Sequence, residues 1–355
     1  MDRKQRIYWV DVAKCFGIFA IYLGHCGEAA GAVGTFVHTH HVALFFFLSG
    51  CMENFNREPG IIKTAVKVLR RTLLPWLIFC ALSLGLLLII NIGHWNYLQE
   101  QLMFVLQGTI RGRFAAGSLW FLTCLAVIQL LFALLRKLKY KPLILLAAAW
   151  IYYQVQMTRV PSPLIWATQP FNLDSARCYI LFYALGYLLF PYADRALRPQ
   201  SRQGKISLGI TVGLSLVYAV LVFVDRDPLA TPYANLYISA SKYALLVHPV
   251  LRAMIIIWLY FAAAKLLENC TFLRTVGSNT LYLCGGEYLV KSGLSLFLEP
   301  LGISLYPNAL WSSVVYSGAM LLLALGTVVP GEKWLLARME TLFRRFSKKT
   351  PVNEG

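Results

Sequence analysis

Apolar residues in this chain follow neither the alternation of a half-buried strand nor the narrow stripe of a soluble helix. They run on for about 18 residues or more before a charged or polar cluster interrupts them. That is the length a helix needs to cross ~30 Å of hydrocarbon. Strands would leave backbone groups unsatisfied in lipid unless closed into a barrel, and the period-2 signature of a barrel is absent. The pattern therefore predicts an all-α fold, a polytopic transmembrane helix bundle of about ten spans. They are 8–25, 36–53, 72–93, 118–136, 142–155, 174–192, 206–224, 240–265, 279–297 and 308–329. The fifth is short and opens on Pro142.

Composition fits. Hydrophobic residues make up 58% of the 355 and charged residues 14%, against roughly a quarter charged in a soluble domain, whose surface must be wet. The 33 Lys and Arg then fix a direction. With the N-terminus inside, 24 of them fall on or at the ends of inner segments, from Arg3, Lys4 and Arg6 to Lys348 and Lys349. Five fall in outer loops (Arg111, Arg113, Arg159, Arg226 and Lys242) and four, Lys14, Arg177, Arg252 and Lys291, within spans. This bias predicts both termini in the cytoplasm of a bacterial-type cell (inner) membrane crossed many times. It also accounts for the net charge of +17 without nucleic acid, because the cations are spread over every inner loop, beside anionic headgroups.

The eight cysteines lie mostly inside spans and lack CxxC spacing, so neither disulfides nor a metal site is expected. Asp11 and Lys14 interrupt the first span, which is not read as a cleaved signal. Residues 1–330 read as one membrane domain, and 331–355 as a cytoplasmic amphipathic, basic tail. Trp9, Trp76 and Trp95 read as interfacial anchors.

Ionisable groups inside spans are costly and mark chemistry. At about 100° per residue, Lys14 and His25 share a helix face within roughly 20°, and Asp11 lies within roughly 40° of it. A polar stripe thus climbs about 16 Å from Lys14 to His25. A purely structural account pairs Asp11 with Lys14 at i, i+3 and leaves His25 as a wet end residue. His40 and His41, at the outer end of the second span, reach a depth close to that of His25 and favour function.

These residues belong to a larger pattern that resembles the integral-membrane acyltransferase family 3, especially its sugar O-acetyltransferase branch. Lys14 and His25 match an Arg/Lys-x10-His signature. His41-Val42-Ala43-Leu44-Phe45-Phe46-Phe47-Leu48-Ser49-Gly50 is similar to His-x-Pro-Leu-Phe-Phe-Phe-Leu-Ser-Gly, with Ala43 in place of Pro. Arg70-Arg71 before Pro75, Ser118-Leu119-Trp120-Phe121-Leu122, Phe182 to Tyr187, and Gly277 to Leu283 resemble further blocks, in order. Shortly after the last block, where relatives often place a His, this chain has Gly285-Gly286-Glu287.

The resemblance implies transfer of an acyl group, usually acetyl, from cytoplasmic acyl-coenzyme A to a hydroxyl of an outward-facing glycan or lipid-linked sugar. Acetyl-coenzyme A is the implied donor and no metal is implied. Lys14, Lys67, Arg70 and Arg71 become candidates for the donor's phosphates or pantetheine arm. His25 is the candidate base, or the carrier of a transient acyl group. His41, Asp11 and Lys14 complete the catalytic candidates. Asp11 lies about 21 Å from His25 along the axis, so an orienting partner is expected among Glu28, His41 and Asp174. His40, Trp120, Asp174, Arg177 and Glu287 are the candidate acceptor contacts; Ser49, Trp120 and Arg177 could also donate to an oxyanion. Glu287 and Lys291, at i, i+4, are expected to neutralise one another, and His248 and Arg252 share the same spacing. A multi-span transporter or flippase is the rival class, although the paired broken helices it predicts are not seen. Monomer and oligomer are both compatible with the sequence.

Overall fold

A computed structural model describes residues 6–55, 60–157, 169–229, 246–302 and 307–349. Arg3, Lys4, Arg159, Lys242, the first residues of the expected eighth span and Gly355 lie outside the described residues. Among the described residues the secondary structure is helical, without strands. In chain order the helices are α1 (Tyr8–Gly24), α2 (Gly31–His38), α3 (His41–Glu53), α4 (Ile61–Val68) and α5 (Leu74–Ile90). Next come α6 (Trp95–Gln107), α7 (Trp120–Leu135), α8 (Lys141–Met157), α9 (Leu173–Ala196) and α10 (Arg202–Phe223). The last five are α11 (His248–Leu266), α12 (Thr271–Ser278), α13 (Thr280–Leu298), α14 (Leu310–Gly326) and α15 (Val328–Lys349).

Seven helical stretches among the described residues are long and apolar enough to cross a membrane: Gly27–Glu53, Ile61–Ile90, Gly117–Leu138, Pro170–Ala196, Arg202–Phe223, His248–Leu266 and Leu310–Met339. The three expected spans outside this set are α1, α8 and α13. The first two have 17 residues each, about 26 Å of helix, and α13 carries the charged pair Glu287 and Lys291. The α4 and α5 helices are one continuous run joined by a π-turn at Leu69–Leu73. The expected tail is helical, but α15 begins at Val328 and Leu310–Met339 is one apolar run, so the boundary expected after 330 falls inside a helix.

Three glycines from the sequence motifs set how the bundle closes. A Cβ on Gly50 of α3 would overlap the Tyr183 carbonyl of α9, and one on Gly186 would overlap the Phe47 carbonyl. The contact is reciprocal, a small-residue crossing of the kind that lets helix backbones approach in lipid. Phe46 stacks on Tyr179 at 4.8 Å and Asn54 Nδ2 donates to the Tyr187 carbonyl at 2.8 Å, so α3 and α9 run parallel. A Cβ on Gly277 would overlap the Asp11 carbonyl, which seats the α12–α13 corner on α1. Further along, Tyr22 Oη donates to the Leu283 carbonyl at 2.8 Å. The pairs Asp11/Gly277 and Tyr22/Leu283 ascend together, and α1 and α13 are parallel.

Two of the tryptophans expected at the interface are in the core instead. Trp9 is fully buried and its indole N–H donates to Asp194 Oδ1 at 2.9 Å, while Trp76 is 4% exposed. Trp9 serves as an interhelical contact, because its ring packs on Phe261 and Phe190. Trp95 is exposed.

Candidate active site

α1 ends at Gly24, and His25 caps it with helical backbone angles and its N–H on the Ile21 carbonyl. The chain then turns through Gly27 and Gly31, both at positive φ, a conformation that glycine reaches at little cost. α2 is thereby folded back beside the end of α1. The imidazole of His25 keeps 37% of its surface exposed.

Its Nδ1 meets Glu287 Oε1 at 2.7 Å. The same oxygen accepts from Lys291 Nζ, also at 2.7 Å. Glu287 is 3% exposed, and Lys291 is flanked by the rings of Tyr22 and Tyr316, each at 5.9 Å. The two glycines before Glu287 make this burial feasible: a Cβ on Gly285 would run into the Phe79 ring, and one on Gly286 into Val328. A carboxylate against Nδ1 holds the proton there and leaves Nε2 as the basic nitrogen on the open side. Lys291 balances the buried carboxylate, which would otherwise be an unpaired charge in a low-dielectric interior.

Glu287 thus occupies the orienting position that sequence reasoning assigned to Glu28, His41 or Asp174. The i, i+4 pairing with Lys291 was legible; the His25 contact, 262 residues away in sequence, was not.

The other histidines divide into two groups. His41 is buried, donates from Nδ1 to the Val37 carbonyl at 2.6 Å, and packs edge-on against His38, with ring centroids 5.0 Å apart. His38, which the sequence pattern did not single out, is exposed, bonds the Gly34 carbonyl at 2.6 Å, and lies against Gly24. His38 and His41 are therefore on the His25 side. His40 is 1% exposed and turned toward Tyr260, with ring centroids 4.9 Å apart. Its Nε2 has no hydrogen-bond partner among the described residues.

At the other end of the stripe, Asp11 Oδ2 accepts from Arg6 Nε at 2.6 Å. Lys14 is half-buried, near Asp11, Arg6 and Cys51. Arg70 and Arg71 sit exposed on the π-turn and Lys67 is half-buried one turn earlier, so these three occupy a different helix from Lys14.

Three of the acceptor candidates, Trp120, Asp174 and Arg177, lie on or beside α7 and α9. Arg111 lies over the Trp120 ring at 4.0 Å and donates from Nη1 to Ser175 Oγ at 3.0 Å. Asp174 is buried and accepts from the Ser175 N–H at 2.7 Å, and Arg177 Nη2 donates to Gln169 Oε1 at 3.1 Å. Ser118 Oγ donates to the Cys284 carbonyl at 2.9 Å, which ties this cluster to α13 one turn before Glu287. Arg111 is the residue here that the sequence reading left among the topology signals. Ser49 Oγ is occupied by the Phe45 carbonyl at 2.8 Å. His248 and Arg252 share Asp227, at 2.7 and 3.9 Å. No group of His, Cys, Asp and Glu that could hold a metal ion occurs among the described residues.

A helical bundle with seven membrane-length apolar stretches among the described residues, and a histidine held by a buried carboxylate at the end of its first helix, defines a polytopic membrane protein. The family model described as Acyltransferase domain, acyltransferase family 3, matches residues 7–330, and the chain belongs to that family. The match takes in α1 through α14 and hence His25, Glu287 and Lys291. No curated protein and no solved structure matches the chain.

Proposed function

We propose that this membrane acyltransferase moves an acetyl group from cytoplasmic acetyl-coenzyme A to a hydroxyl of an extracytoplasmic glycan or lipid-linked sugar. The observation that carries the reading is the His25–Glu287 pair, a half-exposed imidazole fixed by a buried carboxylate. In this mechanism Nε2 of His25 takes the proton of the acceptor hydroxyl as its oxygen attacks the thioester carbonyl. The C–S bond then breaks, and the imidazolium returns the proton to the departing thiolate. Glu287 stabilises the imidazolium while it exists. Trp120, Arg111 and Arg177 supply an aromatic face and cationic donors for the acceptor.

The reading includes ten crossings, a bacterial-type inner membrane and both termini inside. It is supported by the cation distribution and by the parallel courses of α1 with α13 and of α3 with α9, as two odd and two even crossings require.

The test is acetyl transfer from labelled acetyl-coenzyme A by purified protein in lipid nanodiscs, offered a panel of sugar acceptors. Wild type should consume thioester and label an acceptor, and His25→Gln should do neither at a comparable rate. Wild-type protein that binds sugars yet never consumes thioester would return the transporter class to the front.

A further inference from the structure

A second feature at the opposite end of the bundle is not used by the chemistry above. Where α7 turns into α8, Arg136, Lys137 and Lys139 line a cavity of about 240 Å³, closed on its other side by Gly60, Ile61 and Thr64 at the start of α4. One carboxylate, Glu53, lies in its wall. Glu53 is already engaged by Arg136 Nη1 at 2.7 Å and by Tyr183 Oη at 3.3 Å. No carboxylate among the described residues pairs with Lys137 or Lys139, so the described lining carries net positive charge.

Lys139 also sits at φ 58°, in the left-handed region. A non-glycine residue there is strained, and such strain is a pointer to function when other observations agree. The first turn of α4 adds backbone N–H groups that have no partner within the helix. Finally, the cavity and Lys14 lie at the same end of the bundle: Glu53 is two residues beyond Cys51 on α3, and Cys51 is near Lys14.

We propose that this cavity binds a phosphate ester, and that the phosphate belongs to the nucleotide end of the acyl-coenzyme A donor. The inference rests on the acyl-transfer reading above. It places the donor's phosphates at Lys137, Lys139 and the start of α4, and leaves the pantetheine arm to run past Lys14. An anionic lipid headgroup offers the same chemistry and is the other source of such a phosphate.

The experiment uses the full chain in phosphatidylcholine nanodiscs, titrated with coenzyme A, with dephospho-coenzyme A and with pantetheine. The variant is Lys137→Gln/Lys139→Gly, which removes two charges and gives position 139 the residue best suited to its backbone. Coenzyme A affinity is expected to fall 10-fold or more, with a flatter salt dependence, while pantetheine affinity stays unchanged and the unfolding midpoint does not fall. Unchanged coenzyme A affinity in the variant, or an equal loss for pantetheine, overturns the pocket and leaves acyl transfer standing. If instead the variant loses only its association with phosphatidylglycerol added to the discs, the cavity is a headgroup site and the donor assignment is overturned. Wild type that binds no coenzyme A under any condition defeats both readings together.

Discussion

Glu287 Oε1 stands 2.7 Å from His25 Nδ1 and 2.7 Å from Lys291 Nζ, so one buried oxygen meets an imidazole and a counter-charge at once. The two contacts have separable consequences. Glu287→Gln keeps the shape but replaces the anion that favours an imidazolium. Acetyl transfer should fall by on the order of 100-fold with donor affinity preserved. Lys291→Met should leave an unbalanced buried carboxylate and lower the unfolding midpoint as well as the rate. Paired rate and thermal-unfolding measurements on the two variants check this; a Gln variant with full activity removes Glu287 from the mechanism.

His25→Ala should fold, because the side chain is more than a third exposed and contributes little packing. Its transfer rate should drop by roughly 100-fold or more, the usual loss for a missing general base. His38→Ala should be milder if His38 only flanks the site. The comparison is made in single-turnover assays at saturating acetyl-coenzyme A, where a defect confined to donor binding would vanish.

The reciprocal contact of Gly50 and Gly186 predicts a stability effect without a chemical one. Either glycine changed to Ala puts a methyl group into a backbone carbonyl of the facing helix. Overpacking of this kind costs about 1–3 kcal/mol, more where backbone must move. Both variants should unfold at lower temperature in detergent; a Gly186→Ala protein as stable as wild type would mean the helices separate at no cost.

Topology is open to direct measurement. With the eight native cysteines removed, a cysteine at Lys139 should be protected from an impermeant maleimide in intact cells, and one at Glu100 should react. Both positions are exposed, so accessibility to the reagent reports the side of the membrane. The reverse pattern inverts the bundle.

Asp227 supplies a pH signature beyond the end of α10. Burial alone would raise its pKa, but hydrogen bonds from His248, the Leu229 N–H and Tyr218 outweigh it and hold the carboxyl below its usual value. A carboxyl depressed in the fold stabilises above its unfolded pKa and loses that contribution as pH falls through the folded value. Asp227→Asn should therefore destabilise at pH 7 and matter progressively less on acidification. Unfolding midpoints across pH test this, and an effect of constant size would contradict it.

The sequence made the helical membrane bundle readable, because lipid forces long apolar runs. It made His25 a candidate too, since a histidine on the Lys14 face is visible from helical periodicity alone. The partner of His25 was hidden because periodicity relates residues within one helix, and α1 and α13 are joined only by packing. His38 was missed for a related reason: its place depends on the turn through Gly27 and Gly31, which folds α2 back on α1. The motif glycines were quoted as a pattern, yet their role as backbone contacts needed the facing carbonyls of Tyr183, Phe47 and Asp11. Trp9 and Trp76 show the limit of composition, since a tryptophan suited to an interface is equally suited to a core, whether its N–H finds a partner there, as in Trp9, or not, as in Trp76 among the described residues.

His25 and the carboxylate that holds it are far apart in the order of synthesis. His25 leaves the ribosome early, whereas Glu287 follows it by 262 residues. For most of synthesis the first helix is in the membrane with its histidine unheld, and no truncated or stalled product ending before α13 can assemble the pair. On the acyl-transfer reading, synthesis through α13 is thus a precondition for activity, and nascent fragments that end before it should be unable to consume thioester.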